Sequence, residues 1–475
     1  MHRFLAPLLG LALLAACGET PPPPDGGDPP PGGESITGRE RIGWIQPATD
    51  ATELATFSYV MYVDGERRTL SGTTCGNAAG ATGFECSAPL PSLSPGAHTL
   101  ELATFTTSAG VVLESGRSTA LQVNVTGVVT AVEAVESDGA TVSTKDGVRL
   151  HSQIVARGLD DPTDMAFAPD GRLFVAERAG AVRAISPGGA GASDVGRLTE
   201  VATDRGGLLA MTLAPDFERS GVLYFVYAAA GGGAATIRLL RAVERGGSLA
   251  QAAVLLDEPA PGPQSAAARF GPDGMLYLAV GDAGEPRLAQ DLSSPLGKIL
   301  RLTPDGTSPR DNPGASPIFS IGHRLPSGLA WQPETAALWE VEQNGGADEI
   351  NRIVASGNYG WPLMRARERH PRGLAPELTF PEGTLAGASF FSAPSADAPF
   401  HGDLFVASHG GQDVLRVRFV NGRPMGSAER LLDGRFGRIG QVVQSPAGEL
   451  YFSTSNRDTW GAGQDVVVRL SVAQP

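Results

Sequence analysis

The chain runs to 475 residues, more than one ordinary domain. Aromatics make up only 6% while Gly (62) and Pro (37) abound, a balance that suits short strands and tight turns and argues against long helices. A formal charge of -14 argues against nucleic acid, whose binders present basic faces.

His2-Arg3 and the apolar run Leu5 to Leu14 read as the start of an export signal, too short to span a bilayer, which takes about 20 residues. Leu14-Ala15-Ala16-Cys17 matches a bacterial lipobox, so 1–17 is expected as a lipoprotein signal with Cys17 lipidated. Gly18, not Asp, follows the cysteine, which by the lipoprotein sorting rule points to the outer membrane. The Pro- and Gly-rich stretch 18–35 is expected as an extended tether. The expected location is therefore exported and lipid-anchored, at the periplasmic face or cell surface.

Residues 36–127 predict a small fibronectin- or immunoglobulin-like β-sandwich. Phe57 to Val63 alternates, Asp64-Gly65 turns the chain, and Arg67 to Leu70 returns. Further strands are read at His98–Phe105 and Ala120–Val125. Cys75 and Cys86, left over in an exported chain, most simply pair as a disulfide; free thiols or a metal pair would lack nearby His or Cys partners. Residues 128–147 are read as a link.

From 148 to 475 a repeat appears. Six segments, Thr163–Glu177, Leu208–Tyr227, Ala268–Asp282, Gly328–Glu342, Ala388–Ser408 and Gln441–Thr454, each read as strand, turn, strand. A hairpin cannot bury both its faces alone, so stacking around an axis predicts an all-β, six-bladed β-propeller.

The third repeat and the segments after it carry the motifs: Phe270-Gly271-Pro272-Asp273-Gly274, Gly281-Asp282, Gln290-Asp291, Gly297 to Leu302, Gly322-His323-Arg324, Asp348 to Asn351 and Asn358 to Pro362. As an ordered set these resemble the glucose/sorbosone dehydrogenase family, the soluble PQQ-dependent sugar dehydrogenases. The resemblance covers roughly Leu150 to Leu470. It implies hydride transfer from a sugar or polyol carbon to PQQ, with calcium at the quinone side. It places Asp282, Arg324 and Asp348 at catalytic positions and Gln343 and Arg438 against the cofactor; the metal ligands stay open.

The chain departs from that pattern. Pro263 stands where the family has its histidine base, and proline accepts no proton. Leu325 follows Arg324 in place of a polar residue, Gly410 replaces a cofactor-binding lysine, and Gly440 replaces a second arginine. The segment Gln343–Asp348 is one residue short, which bears on calcium. His409 is a candidate substitute base. Two functions fit this pattern: a sugar or polyol dehydrogenase with a degenerate site and weak turnover, or a non-catalytic surface propeller that binds carbohydrate or protein.

Overall fold

The computed structural model describes residues 12–14, 34–36, 41–70, 73–76, 80, 83–91, 93, 96–108, 111–125, 138–189, 191–230, 235–260, 265–364, 368, 370–371, 373–381, 383–395, 397–432 and 434–473. The lipobox Cys17, residues 18–33 of the tether, and Pro263 lie outside these residues, while Glu34 and Ser35 of the tether stand in a strand. The chain divides into two compact units, 1–128 and 129–475.

The first unit is two sheets around one core. One sheet is ordered Ala12–Leu14, Arg41–Gln46, Phe84–Pro89, Thr74–Cys75. The other is ordered Glu34–Ile36, Leu121–Val125, Gly96–Ser108, Ser58–Val63, Glu66–Thr69, with Val111–Glu114 also paired to Gly96–Ser108. Ile42, Trp44, Phe84 and Ala88 of the first face Tyr59, Met61, Leu100, Leu102 and Val123 of the second. Asp64 and Gly65 both take positive φ, as a two-residue hairpin turn demands. Cys75 and Cys86 stand opposite each other in register and form a disulfide.

Among the described residues the second unit holds six sheets, and each predicted repeat supplies the first two strands of one of them. The first strands are Pro162–Phe167, Leu208–Leu213, Ala266–Phe270, Leu325–Trp331, Leu385–Phe390 and Ile439–Gln444. Each packs beside the next, and the last returns to the first, closing a ring. This is a β-propeller. Closure uses both ends of the unit, because Arg149–Leu159 pairs antiparallel with Asp465–Val472 in the sixth sheet. The second strands Leu173–Glu177, Leu276–Val280 and Leu404–Ser408 are buried along their whole length. They lie between neighbouring sheets, which explains their near-continuous apolar sequence. Phe174, Leu223 and Phe225 fill the first such layer, Tyr224, Leu278 and Leu300 the next.

Polar groups stitch the inner strands. Asp164 of the first sheet accepts from both Nη atoms of Arg269 at 2.8 Å, from Gln441 Nε2 at 2.9 Å and from the Met211 amide at 2.9 Å. One carboxylate thus ties the first, second, third and sixth sheets.

Part of the segment read as a link belongs to this unit. Thr141–Ser143 pairs with Arg149–Leu159, and Asp146 holds both Nη atoms of the buried Arg416 at 2.9 Å.

Candidate active site at one mouth of the ring

Strand register sends the ends of the repeats to one mouth. Pro162 pairs with Glu177, Ala266 with Val280, Leu325 with Gln343, Leu385 with Ser408 and Ile439 with Thr454. The residues just beyond these pairs therefore gather there: Asp161 and Arg178, Asp282, Arg324, Thr384 and His409, Arg438. The Pro-Asp-Gly turns cap the opposite end.

Asp282, 3% exposed, accepts the Trp361 indole Nε1–H at 2.7 Å and the Gly284 amide at 2.9 Å. Its own amide donates to the Arg324 carbonyl at 2.9 Å. The Arg324 guanidinium lies 5.0 Å from the centre of the Trp361 ring, a cation–π contact. Gly345 leaves them room, since a Cβ there would come within 3.1 Å of the indole and 3.2 Å of Arg324 Nη1. Gln290 binds the other side of the loop, donating to Asn358 Oδ1 at 3.0 Å and to the Trp361 carbonyl at 2.7 Å. Motifs some seventy residues apart in sequence, Gln290-Asp291 and Asn358 to Pro362, meet in this way. Buried Lys298 holds the intervening loop by donating to the Leu288 and Leu296 carbonyls, and burial pulls its ammonium down to about 8.

The predicted residues divide. Asp282, Arg324, Gln343 and Arg438 share the mouth. Arg438 is part-buried and reaches Asp458 Oδ2 at 3.1 Å. Asp348 does something else. Its carboxylate accepts the backbone N–H groups of Gly383 at 3.0 Å, Thr384 at 2.6 Å and Leu385 at 2.6 Å. Thr384 in turn accepts the His409 amide at 2.7 Å. Asp348 therefore shapes the segment 383–385 against which the His409 amide rests.

His409 is half-buried, and its imidazole is drawn down to about 4, first by burial and then by the positive charge of Arg438, with Arg178 adding to it. It is neutral at pH 7 and offers a lone pair. Arg178, which sequence reading passed over, donates to Asp161 Oδ2 at 2.5 Å and to the Gly206 carbonyl at 2.8 Å. Its position just past the first repeat was the available signal. Three guanidinium groups at one mouth fit an anionic cofactor. The fit to calcium is poorer, because the three amide bonds at Asp348 leave that carboxylate little to offer.

Beneath Arg324 lies a buried polar cluster. His323, Glu340, Glu342, Glu349 and Asn351 are all 0–1% exposed. Burial opposes the charge of His323, but Glu340 and Glu342 prevail and raise it to about 10. Burial, reinforced by neighbouring carboxylates, raises Glu342 and Glu349. Glu340 and Glu342, two apart on one strand, share a face; that spacing inside an apolar run was the sequence signal.

The Glucose / Sorbosone dehydrogenase family profile matches residues 159–461. The chain belongs to this family. It is 30% identical over 335 residues to the aldose sugar dehydrogenase YliI of Escherichia coli, covering 64% of this chain and 90% of that one. The PQQ-bound aldose sugar dehydrogenase of Streptomyces coelicolor superposes with a TM-score of 0.60 at 28% identity, over 68% of this chain and 98% of that one. The apo-form of the soluble aldose sugar dehydrogenase of Escherichia coli gives 0.62 at 25%, over 68% and 100%. The family matches extend over the propeller. They support a sugar dehydrogenase-like oxidoreductase.

Proposed function

We propose that this family member is a lipid-anchored oxidoreductase of the cell envelope that oxidises a sugar or polyol with PQQ, through an altered site. The observation that carries this reading is the convergence of Arg178, Arg324 and Arg438 with neutral His409 at one mouth. The fold is read as a six-bladed propeller preceded by a β-sandwich, supported by the closed ring of six inner strands and the shared core of two sheets.

PQQ, when bound, would accept the hydride from the sugar carbon. The chain's own residues do the rest. Arg324, held over Trp361, offers a fixed positive charge that would stabilise negative charge developing on a bound quinone. Arg438 and Arg178 suit the cofactor carboxylates. The substrate hydroxyl must lose a proton as hydride leaves, and His409 can take it at its neutral imidazole. A base whose pKa is about 4 is far from the working pH, so turnover is slow. Asp282 and Asp348 are positioning residues, the first through Trp361 and the second through the Thr384 loop.

A second reading, a non-catalytic propeller that binds carbohydrate, is favoured by Gly410. A Cβ there would meet the Gly383 carbonyl oxygen at 2.6 Å, so the position has no room for the family lysine. Calorimetry of PQQ binding with and without calcium, followed by dye reduction over a panel of aldoses and polyols, separates the two. Quinone binding with slow, sugar-dependent dye reduction supports the oxidoreductase. Sugar binding without quinone binding supports the alternative. Labelling with radioactive palmitate, lost in Cys17→Ser, tests the anchor.

A further inference from the structure

We infer that His323, Glu340 and Glu342 form a buried site for one divalent transition ion of the zinc class, placed under the mouth. The three side chains are fully buried, and one ligand atom from each lies within 4.8 Å of the others. His323 Nδ1 stands 3.0 Å from Glu340 Oε1 and 3.7 Å from Glu342 Oε1. Yet among the described residues neither His323 Nδ1 nor Glu340 Oε1 has a partner aligned for a hydrogen bond. Two polar atoms this close, fully buried and unaligned for a hydrogen bond, are what a shared ion explains. Metal–ligand bonds of about 2.0–2.2 Å in a tetrahedron put ligand atoms about 3.4 Å apart, between the two distances seen.

The surroundings agree. His323 Nε2 lies 2.8 Å from Ser320 Oγ; with that hydroxyl as acceptor the ring keeps its Nε2–H, and an ion at Nδ1 would displace the proton that Glu340 and Glu342 otherwise hold there. Tyr359 stacks on the ring at 4.9 Å and sets its plane. Asn351 Nδ2 holds the carboxylates in place, 3.2 Å from Glu342 Oε1, 3.3 Å from Glu349 Oε2 and 3.5 Å from Glu340 Oε2. Among the described residues Glu349 Oε1 and Asn351 Oδ1 also have no hydrogen-bond partner. Among the described residues His323 is the one basic side chain within ion-pair distance of Glu340 or Glu342. Several buried carboxylates against one imidazole leave negative charge that is costly unless a cation or protons balance it. A nitrogen ligand beside two carboxylates favours a transition ion over calcium, which takes oxygen ligands.

The role is structural. Glu342 Oε2 also accepts the Arg324 amide at 2.8 Å, so an ion on Glu342 would stiffen the floor under Arg324. The ion site does not depend on whether PQQ binds.

The test uses purified full-length protein, stripped with chelator and dialysed against zinc. Elemental analysis is expected to find about one zinc per chain, with Tm raised by several degrees over the stripped form. Calcium in large excess should not displace it. Cobalt in place of zinc should give a visible absorption band. Glu340→Gln keeps the side-chain volume and the Asn351 contact, and should weaken zinc binding by more than about tenfold. Zinc at well under one per chain with no cobalt band, or zinc bound equally by native protein and both Glu340→Gln and Glu342→Gln, would overturn the inference. If Glu340→Gln fails to fold, the cobalt band of the native protein decides alone: its absence rejects the site.

Discussion

Trp361 gives its indole N–H to Asp282 at 2.7 Å across a loop closure of seventy-nine residues, and the same indole carries the Arg324 guanidinium. The contact makes a buried carboxylate into the support of a mouth cation. Trp361→Phe keeps most of the ring area but leaves Asp282 Oδ2 without that donor. Leaving a buried acceptor unpaired costs about 1–3 kcal/mol, which urea unfolding should register. PQQ affinity, read by calorimetry, should fall as Arg324 loses its platform. Unchanged stability together with unchanged affinity would show that the pair positions nothing.

His409 offers a pH-dependent signature. Its imidazole is lowered to about 4 in the folded chain against an unfolded value near 6.5. Below about 6.5 the unfolded chain takes a proton that the folded chain refuses. Stability is therefore full above that pH and declines as pH falls from about 6.5 towards 4. His409→Gln should flatten this part of the stability profile. Arg438→Gln removes one of the charges that push the imidazole down, so the His409 resonance in an NMR titration should move towards its ordinary value. A titration of His409 at its ordinary value in the native protein would contradict the placement. Any quinone-dependent dye reduction should fall by about 10²-fold or more in His409→Ala if the imidazole is the base.

The difference between legible and hidden parts of this site is one of range. The six repeats and the Asp64-Gly65 hairpin follow from local pattern, because turn chemistry and strand alternation act over a few residues, whereas Asp282 and Arg324 were singled out by the family resemblance of their motifs. Asp348 shows the limit. Its motif says that a carboxylate belongs there, but only the return of the chain at 383–385 shows that three backbone amides take it up. The stitch of Asp164 to Arg269 and Gln441 spans 277 positions and exists only once the ring is closed. The segment before 148 looked like a link because its strand is three residues long and its partners lie far along the chain.

Gly410 bears on attempts to restore a family-like site. A lysine there needs its Cβ where the Gly383 carbonyl oxygen stands, at 2.6 Å, and backbone must shift to admit it. Overpacking of this kind costs about 1–3 kcal/mol. Gly410→Lys, alone or with Pro263→His, should lower Tm and leave PQQ affinity no better. Gly440→Arg is the useful contrast. Its Cβ would meet Ser455 Cβ at 3.2 Å and the Pro162 carbonyl oxygen at 3.3 Å, contacts that ask for only a few tenths of an ångström. It should be tolerated better and, by adding a cation at the mouth, should raise PQQ affinity. A stable Gly410→Lys variant with tighter quinone binding would refute the crowding.

The boundary of the propeller can be tested by truncation, and the buried Arg416 says where to cut. This guanidinium, its side chain 3% exposed, meets Asp403 Oδ2 at 2.7 Å, Glu429 Oε2 at 3.3 Å and both oxygens of Asp146 at 2.9 Å. Hydrogen bonds from Arg416 come first among the causes that hold the Asp146 carboxyl well below its usual range. The Lys145 amide donates to Glu429, and Asp138 accepts the Ile154 amide at 2.8 Å. A chain beginning at Val129 keeps all of these contacts. It should fold with the Tm of the propeller in the full-length protein, because its core is its own. A chain beginning at Val148 loses Asp146, the strand Thr141–Ser143 and the Lys145 contact, and leaves Arg416 with two carboxylates in place of three. The guanidinium still has two carboxylate partners and is not left as an unpaired buried charge, so folding should survive. The lost bidentate pair and strand should still cost about 1–3 kcal/mol, or several degrees in Tm. Differential scanning calorimetry on the two truncated chains decides it. Equal melting temperatures would return residues 138–147 to the role of a link.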